Sequence, residues 1–102
     1  MTLKIIVMIE TKPGQRAACV EALKRLFDRL SVNPDSLNTK VLLGVDDTGV
    51  ALVEEWNMTP DAFGRFMSND PAYATFEIEA GAMIAARHVL LSAGEATWQH
   101  QG

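Results

Sequence analysis

A chain of 102 residues has room for one domain and none for a separate cofactor-binding unit. Its 48% hydrophobic and 22% charged residues make a globular balance, outside the disordered and fibrous classes. Nine basic residues against thirteen acidic ones leave a net charge of -4, and Lys24, Arg25 and Arg29 lie among acids instead of forming a stripe, so no nucleic-acid partner is expected.

Leu3 to Glu10 (LKIIVMIE) is rich in Ile and Val, with Leu3, Ile5, Val7 and Ile9 on one face and Lys4, Ile6 and Met8 on the other. This predicts a central strand whose two faces both need cover. Glu10 and Lys12 interrupt the apolar run and no small-residue cleavage site follows, so the segment reads as a strand and not a signal. No run approaches the ~20 apolar residues that span a bilayer, and no membrane partner is expected. A single cysteine, Cys19, has no internal disulfide partner, which fits the cytoplasm, and it reads as a small helix-packing residue.

Pro13-Gly14 ends the strand. From Gln15 to Leu30, Val20, Leu23, Phe27 and Leu30 recur at the spacing of an amphipathic helix. Ser31 to Asn38, containing Asn33-Pro34-Asp35, is predicted as a loop. A second strand is expected over Thr39 to Val45. It turns through Asp46-Asp47-Thr48-Gly49, where the glycine is expected to supply a positive φ, into a third strand over Val50 to Asn57.

Thr59 before Pro60 and Asp61 is a helix-start signal, and Asp70-Pro71 repeats it. A short helix, a bend near Ser68 to Asp70 and a longer helix carrying Tyr73, Phe76, Ala80, Met83 and Ile84 are expected. His88 to Leu91 reads as the last strand, and Gly94 to Gly102, with Trp98, as a loose tail. The βαββαβ order predicts an α+β, ferredoxin-like domain with a four-stranded antiparallel sheet and helices on one face. The second apolar face predicts a homodimer closed sheet to sheet.

The opening strand followed by KPGQ (Lys12 to Gln15), the strand ending ALVEEW (Ala51 to Trp56) and the segment TPDAFGRFMSNDPAYATF (Thr59 to Phe76) together resemble the antibiotic biosynthesis monooxygenase (ABM) domain family. That family forms dimeric α/β barrels, and the resemblance covers roughly residues 3 to 92. It implies a pocket between sheet and helices. Some members oxygenate anthrones or quinols without metal or flavin, and others degrade haem. Leu52 stands where the anthrone oxygenases carry an Asn, Ala72 where quinol-type members carry a His, and Phe66 and Phe76 where haem degraders carry a Trp and a His.

Strand alternation puts Val50, Leu52, Glu54 and Trp56 on one face. The resemblance turns that face toward the pocket, making Glu54 the candidate general base and Trp56 a candidate contact for a flat substrate. Leu52, Phe63, Phe66, Tyr73 and Met83 are the other candidate pocket residues. A bland alternative stays open: Glu54 pairs with Arg65, Arg87 or a backbone donor, or reaches the rim of the sheet, and the aromatics are core. His88 lacks an acid-base partner nearby in sequence. No spaced metal ligands, dinucleotide glycines or nucleophile motif are present, so neither cofactor nor metal is expected. Two functions remain: a cofactor-independent oxygenase for a small aromatic, quinol or anthrone-like compound, or a non-catalytic small-ligand-binding or assembly domain.

Overall fold

The computed structural model describes residues 2–102. Four strands, β1 (Leu3–Thr11), β2 (Ser36–Leu43), β3 (Gly49–Trp56) and β4 (Ile84–Ser92), form one antiparallel sheet in the order β2-β3-β1-β4. Helix α1 (Arg16–Leu30) connects β1 to β2, and α2 (Pro60–Asn69) and α3 (Pro71–Ala80) connect β3 to β4. This is the expected α+β, ferredoxin-like arrangement.

Local chemistry accounts for the break between α2 and α3. Thr59 Oγ1 accepts from the Ala62 N–H at 3.1 Å, and Asp70 accepts from the Ala72 N–H at 2.8 Å. Each cap satisfies a donor that the first helical turn leaves free. Pro60 and Pro71 occupy first positions, where a missing N–H costs nothing. At the earlier turn only Gly14, with φ of 76°, lies in the left-handed region among the described residues.

Long-range pairing moves several boundaries. β2 starts at Ser36, inside the expected loop, because the Asn33–Ser36 turn closes on itself and Ser36 comes level with Trp56 in the ladder. Gly49 does not take the expected positive φ. Its role is close approach: Asp46 Oδ1 accepts from the Gly49 N–H at 2.7 Å, and a Cβ on Gly49 would sit 2.9 Å from that oxygen. Met83 and Ile84 are not on α3. The chain leaves the helix at Ala80, makes one 3-10 turn over Gly81–Met83, and gives the Met83 carbonyl to the Lys12 N–H at 2.8 Å. β4 therefore begins at Ile84, well before His88, and pairs with Lys4 to Thr11 of β1, with one register shift between Glu10 and Thr11.

The core lies between the sheet and the helices. Leu3, Ile5 and Ile9 from β1 meet Val50, Leu52 and Trp56 from β3, and Cys19, Ala22, Leu23, Leu26 and Leu30 of α1 close over them. Burial keeps the Cys19 thiol above its ordinary range, so it packs as a small neutral group. The far face of the sheet carries Ile6, Met8, Leu42 and Leu90, all exposed, and His88 opposite Met8. Trp98 is exposed in the C-terminal tail, stacked on His100.

Candidate functional site

β3 alternates strictly: Val50, Leu52, Glu54 and Trp56 are buried, and Gly49, Ala51, Val53 and Glu55 are only partly so. Glu54 is 5% exposed, a carboxylate inside an otherwise apolar row. Its Oε1 accepts from the indole Nε1 of Trp56 at 3.1 Å. Desolvation raises the Glu54 pKa, and the indole bond offsets part of that rise by favouring the charged form.

Beside Glu54 is a cavity of about 460 Å³, within the range typical of small-molecule sites. β1 supplies Ile5, Val7 and Ile9 to its floor, and β3 supplies Leu52 and Glu54. Leu23, Leu26 and Phe27 of α1, Phe63 and Met67 of α2, and Tyr73 and Phe76 of α3 form the walls. Val89 and Leu91 of β4 also line it, yet they are 59% and 44% exposed, so the space opens toward that edge of the sheet. Gly64 and Ala74 leave room, and a Cβ built on Gly64 would meet nothing within 4 Å.

Two more charged groups border the space. Arg87 on β4 and Glu77 on α3 form a two-pronged ion pair, with Arg87 Nη2 3.1 Å from Glu77 Oε2. Neither Arg87 nor Arg65 pairs with Glu54, contrary to one of the alternatives left open by the sequence. Arg87 is taken by Glu77, and the carboxylate on β3 is left to the indole.

Tyr73 borders the cavity, and its buried hydroxyl has no hydrogen-bond partner. Desolvation, then the charges of Glu54 and Asp70, push the Tyr73 pKa up, so the phenol stays neutral and is a donor. Its ring is fixed by Phe66, edge-on at 5.9 Å.

Leu52, Glu54, Phe63 and Tyr73 thus meet around one space, whereas Trp56, Phe66 and Met83 do not line it. Trp56 is fully buried, wedged against Phe63 and Phe66 with ring centroids 5.8 and 5.3 Å away. Phe66 fills the gap between Trp56 and Tyr73. Met83 is drawn to the end of β1 by the backbone bond to Lys12. A shallower groove of about 390 Å³ between α1 and β2 is lined by Lys24, Asp28 and Asn38 among others and contains no buried carboxylate.

This fold recurs in solved structures. A protein from Nitrosomonas europaea, provisionally named an antibiotic biosynthesis monooxygenase, superposes with a TM-score of 0.80 over 91% of this chain and 89% of its own, at 19% identity. The fold is that of the antibiotic biosynthesis monooxygenases. A Chloroflexus aurantiacus protein with the same provisional name matches at a TM-score of 0.73 and 22% identity, covering 94% of this chain and 97% of its own. A Mycobacterium tuberculosis protein matches at 0.80 and 14% identity, with 97% and 100% covered. No family model and no curated protein matches the chain.

The shared monooxygenase fold does not carry a reaction with it. Among the described residues no group of three or more His, Cys, Asp and Glu side chains is placed to hold a metal ion, and no helix is long and apolar enough to cross a membrane. His88 lies on the far sheet face, away from the cavity. Sequence reasoning missed the Glu77–Arg87 pair because its members lie on different elements. It missed the α1 wall because Leu23, Leu26 and Phe27 read only as core.

Proposed function

We propose that the cavity is the substrate site of a cofactor-independent oxygenase acting on a small aromatic compound of quinol or anthrone type, with Glu54 as the base. The observation that carries this reading is the burial of Glu54 beside a cavity with an indole N–H, and no cation, as its side-chain partner. Burying a carboxylate without a cation is costly, and such groups concentrate at functional sites. A raised pKa makes Glu54 a stronger base once ionised.

For an anthrone-type methylene, Glu54 removes one proton and the electron pair delocalises across the ring onto the carbonyl oxygen. Dioxygen accepts electrons from that anion and bonds to the carbon. The resulting peroxide loses water, so CH2 and O2 become C=O and H2O, with both protons in the water. The neutral Tyr73 hydroxyl is suited to donate to the substrate oxygen while it carries charge.

A second reading, a non-catalytic domain holding a small apolar ligand or serving assembly, is favoured by Leu52 and Ala72, apolar where the resemblance calls for polar groups. On either reading a second copy of the chain covers the far sheet face, where Ile6, Met8, Leu42 and Leu90 lie between Lys4, Lys40, Glu10 and Glu55. A cytoplasmic setting suits the free thiol of Cys19. Oxygen uptake with anthrone decides between the two readings. One O2 consumed per anthrone, without peroxide release, is expected of the oxygenase; tight binding without uptake favours the non-catalytic domain.

A further inference from the structure

We infer that Trp56 is the positioning residue of Glu54: it anchors the carboxylate from behind the cavity wall and does not touch the bound molecule. The inference rests on the reading of Glu54 as the base, and it departs from the expectation that an indole at this position stacks on substrate. Residues two apart on a strand share a face. The Trp56 side chain turns back along β3 to reach Glu54 Oε1 at 3.1 Å.

What fixes that orientation is α2. Phe63 and Phe66 pack on the indole at 5.8 and 5.3 Å, with tilted interplanar angles of 52° and 49°. Tilted contacts of this kind are favourable aromatic arrangements. With Trp56 fully buried, the indole is held by its neighbours and the carboxylate is held by the indole. Glu54 borders the cavity and Trp56 does not. The arrangement separates the two tasks, the group that meets the ligand and the group that fixes its direction, much as an outer hydrogen-bond partner orients an inner ligand.

The indole bond acts on the charged state of Glu54 together with the other groups around it. Those bordering the cavity are Tyr73 and Glu77 of α3 and Arg87 of β4, the last two paired with each other; Asp70 lies at the start of α3. The lining residues from α1 and α2, Leu23, Leu26, Phe27, Phe63, Gly64 and Met67, contribute no titrating side chain. Trp56 is thus the one aromatic N–H that stabilises the carboxylate directly.

The test uses the two tryptophans as separate probes. In wild-type protein labelled with 15N at the indoles, the Trp56 N–H signal should move with pH along one titration curve whose midpoint lies above the ordinary Glu value. The exposed Trp98 signal should not follow it. Glu54→Gln should abolish the movement. In Trp56→Phe, which keeps an aromatic ring and removes the N–H, the Glu54 carboxyl followed by 13C NMR should titrate about one pH unit higher. With anthrone as substrate, kcat should fall about tenfold with KM unchanged. A Trp56 signal indifferent to Glu54 overturns the inference without any variant having to fold. An unshifted carboxyl midpoint in Trp56→Phe, or a raised KM at constant kcat, also overturns it. If anthrone is not turned over, the NMR titrations still decide the positioning role, and the oxygenase reading fails on its own.

Discussion

Trp56 Nε1 donates to Glu54 Oε1 across 3.1 Å, between two buried side chains on the same face of β3. The bond ties the largest core side chain to the one buried carboxylate among the described residues. The consequences for stability and for chemistry can be measured separately.

The raised pKa of Glu54 gives stability a definite pH dependence. Between the unfolded value near 4.5 and the higher folded value, the folded chain holds the proton that the unfolded chain has released. Stability from this group is therefore full below about 4.5 and declines as pH rises through the folded pKa. Glu54→Gln removes the decline. The variant should match or exceed wild type in denaturant midpoint at pH 8, with its relative advantage shrinking toward pH 4. A wild type that gains stability over this range relative to the variant would contradict the assignment.

Trp56→Ala should cost about 3 to 5 kcal/mol of folding free energy, the scale for deleting a buried large aromatic. The loss falls on the whole ring cluster, since Phe63 and Phe66 both rest on the indole. Urea unfolding gives the value, and a loss below about 1 kcal/mol would mean that the indole is not the keystone of this corner.

Gly64 lies inside α2 with open space where a Cβ would stand. Gly64→Ala should stabilise the protein by about 0.5 to 1 kcal/mol through helix propensity. A lowered thermal midpoint would contradict the open space at Gly64.

The far sheet face should hold two copies together. Light scattering at micromolar concentration should give twice the chain mass, and Leu90→Lys, which puts a charge opposite Ile6 at the middle of that face, should give single chains that keep their secondary structure. A wild type that scatters as a monomer contradicts the dimer.

Where structure follows from neighbours in sequence, it was legible. Thr59-Pro60 and Asp70-Pro71 announce both helix starts because their caps reach only two or three residues ahead. Alternation sorts the side chains of β1 and β3 into two faces for the same reason, but both faces of β1 are apolar, and the helices packed on one of them decide which is core. Met83 was misplaced because its position is set by Lys12, and β2 starts early because Ser36 pairs with Trp56. Glu54 was recognisable as a candidate only through the family resemblance, which turned its face of β3 toward a pocket. Its partner was not, because the rotamer of Trp56 is imposed by Phe63 and Phe66 from another element. The α1 side of the cavity was hidden, since Leu23, Leu26 and Phe27 reach it from a helix far from Glu54 in sequence.

The central claim is that Glu54 acts as a base on a molecule in the cavity. Steady-state oxygen consumption with anthrone, wild type against Glu54→Gln at pH 8, measures it most directly. The account predicts a loss of roughly 100-fold or more in kcat, the scale for removing a general base, in a variant with an unchanged or higher denaturant midpoint. Equal rates from the two folded proteins would contradict it.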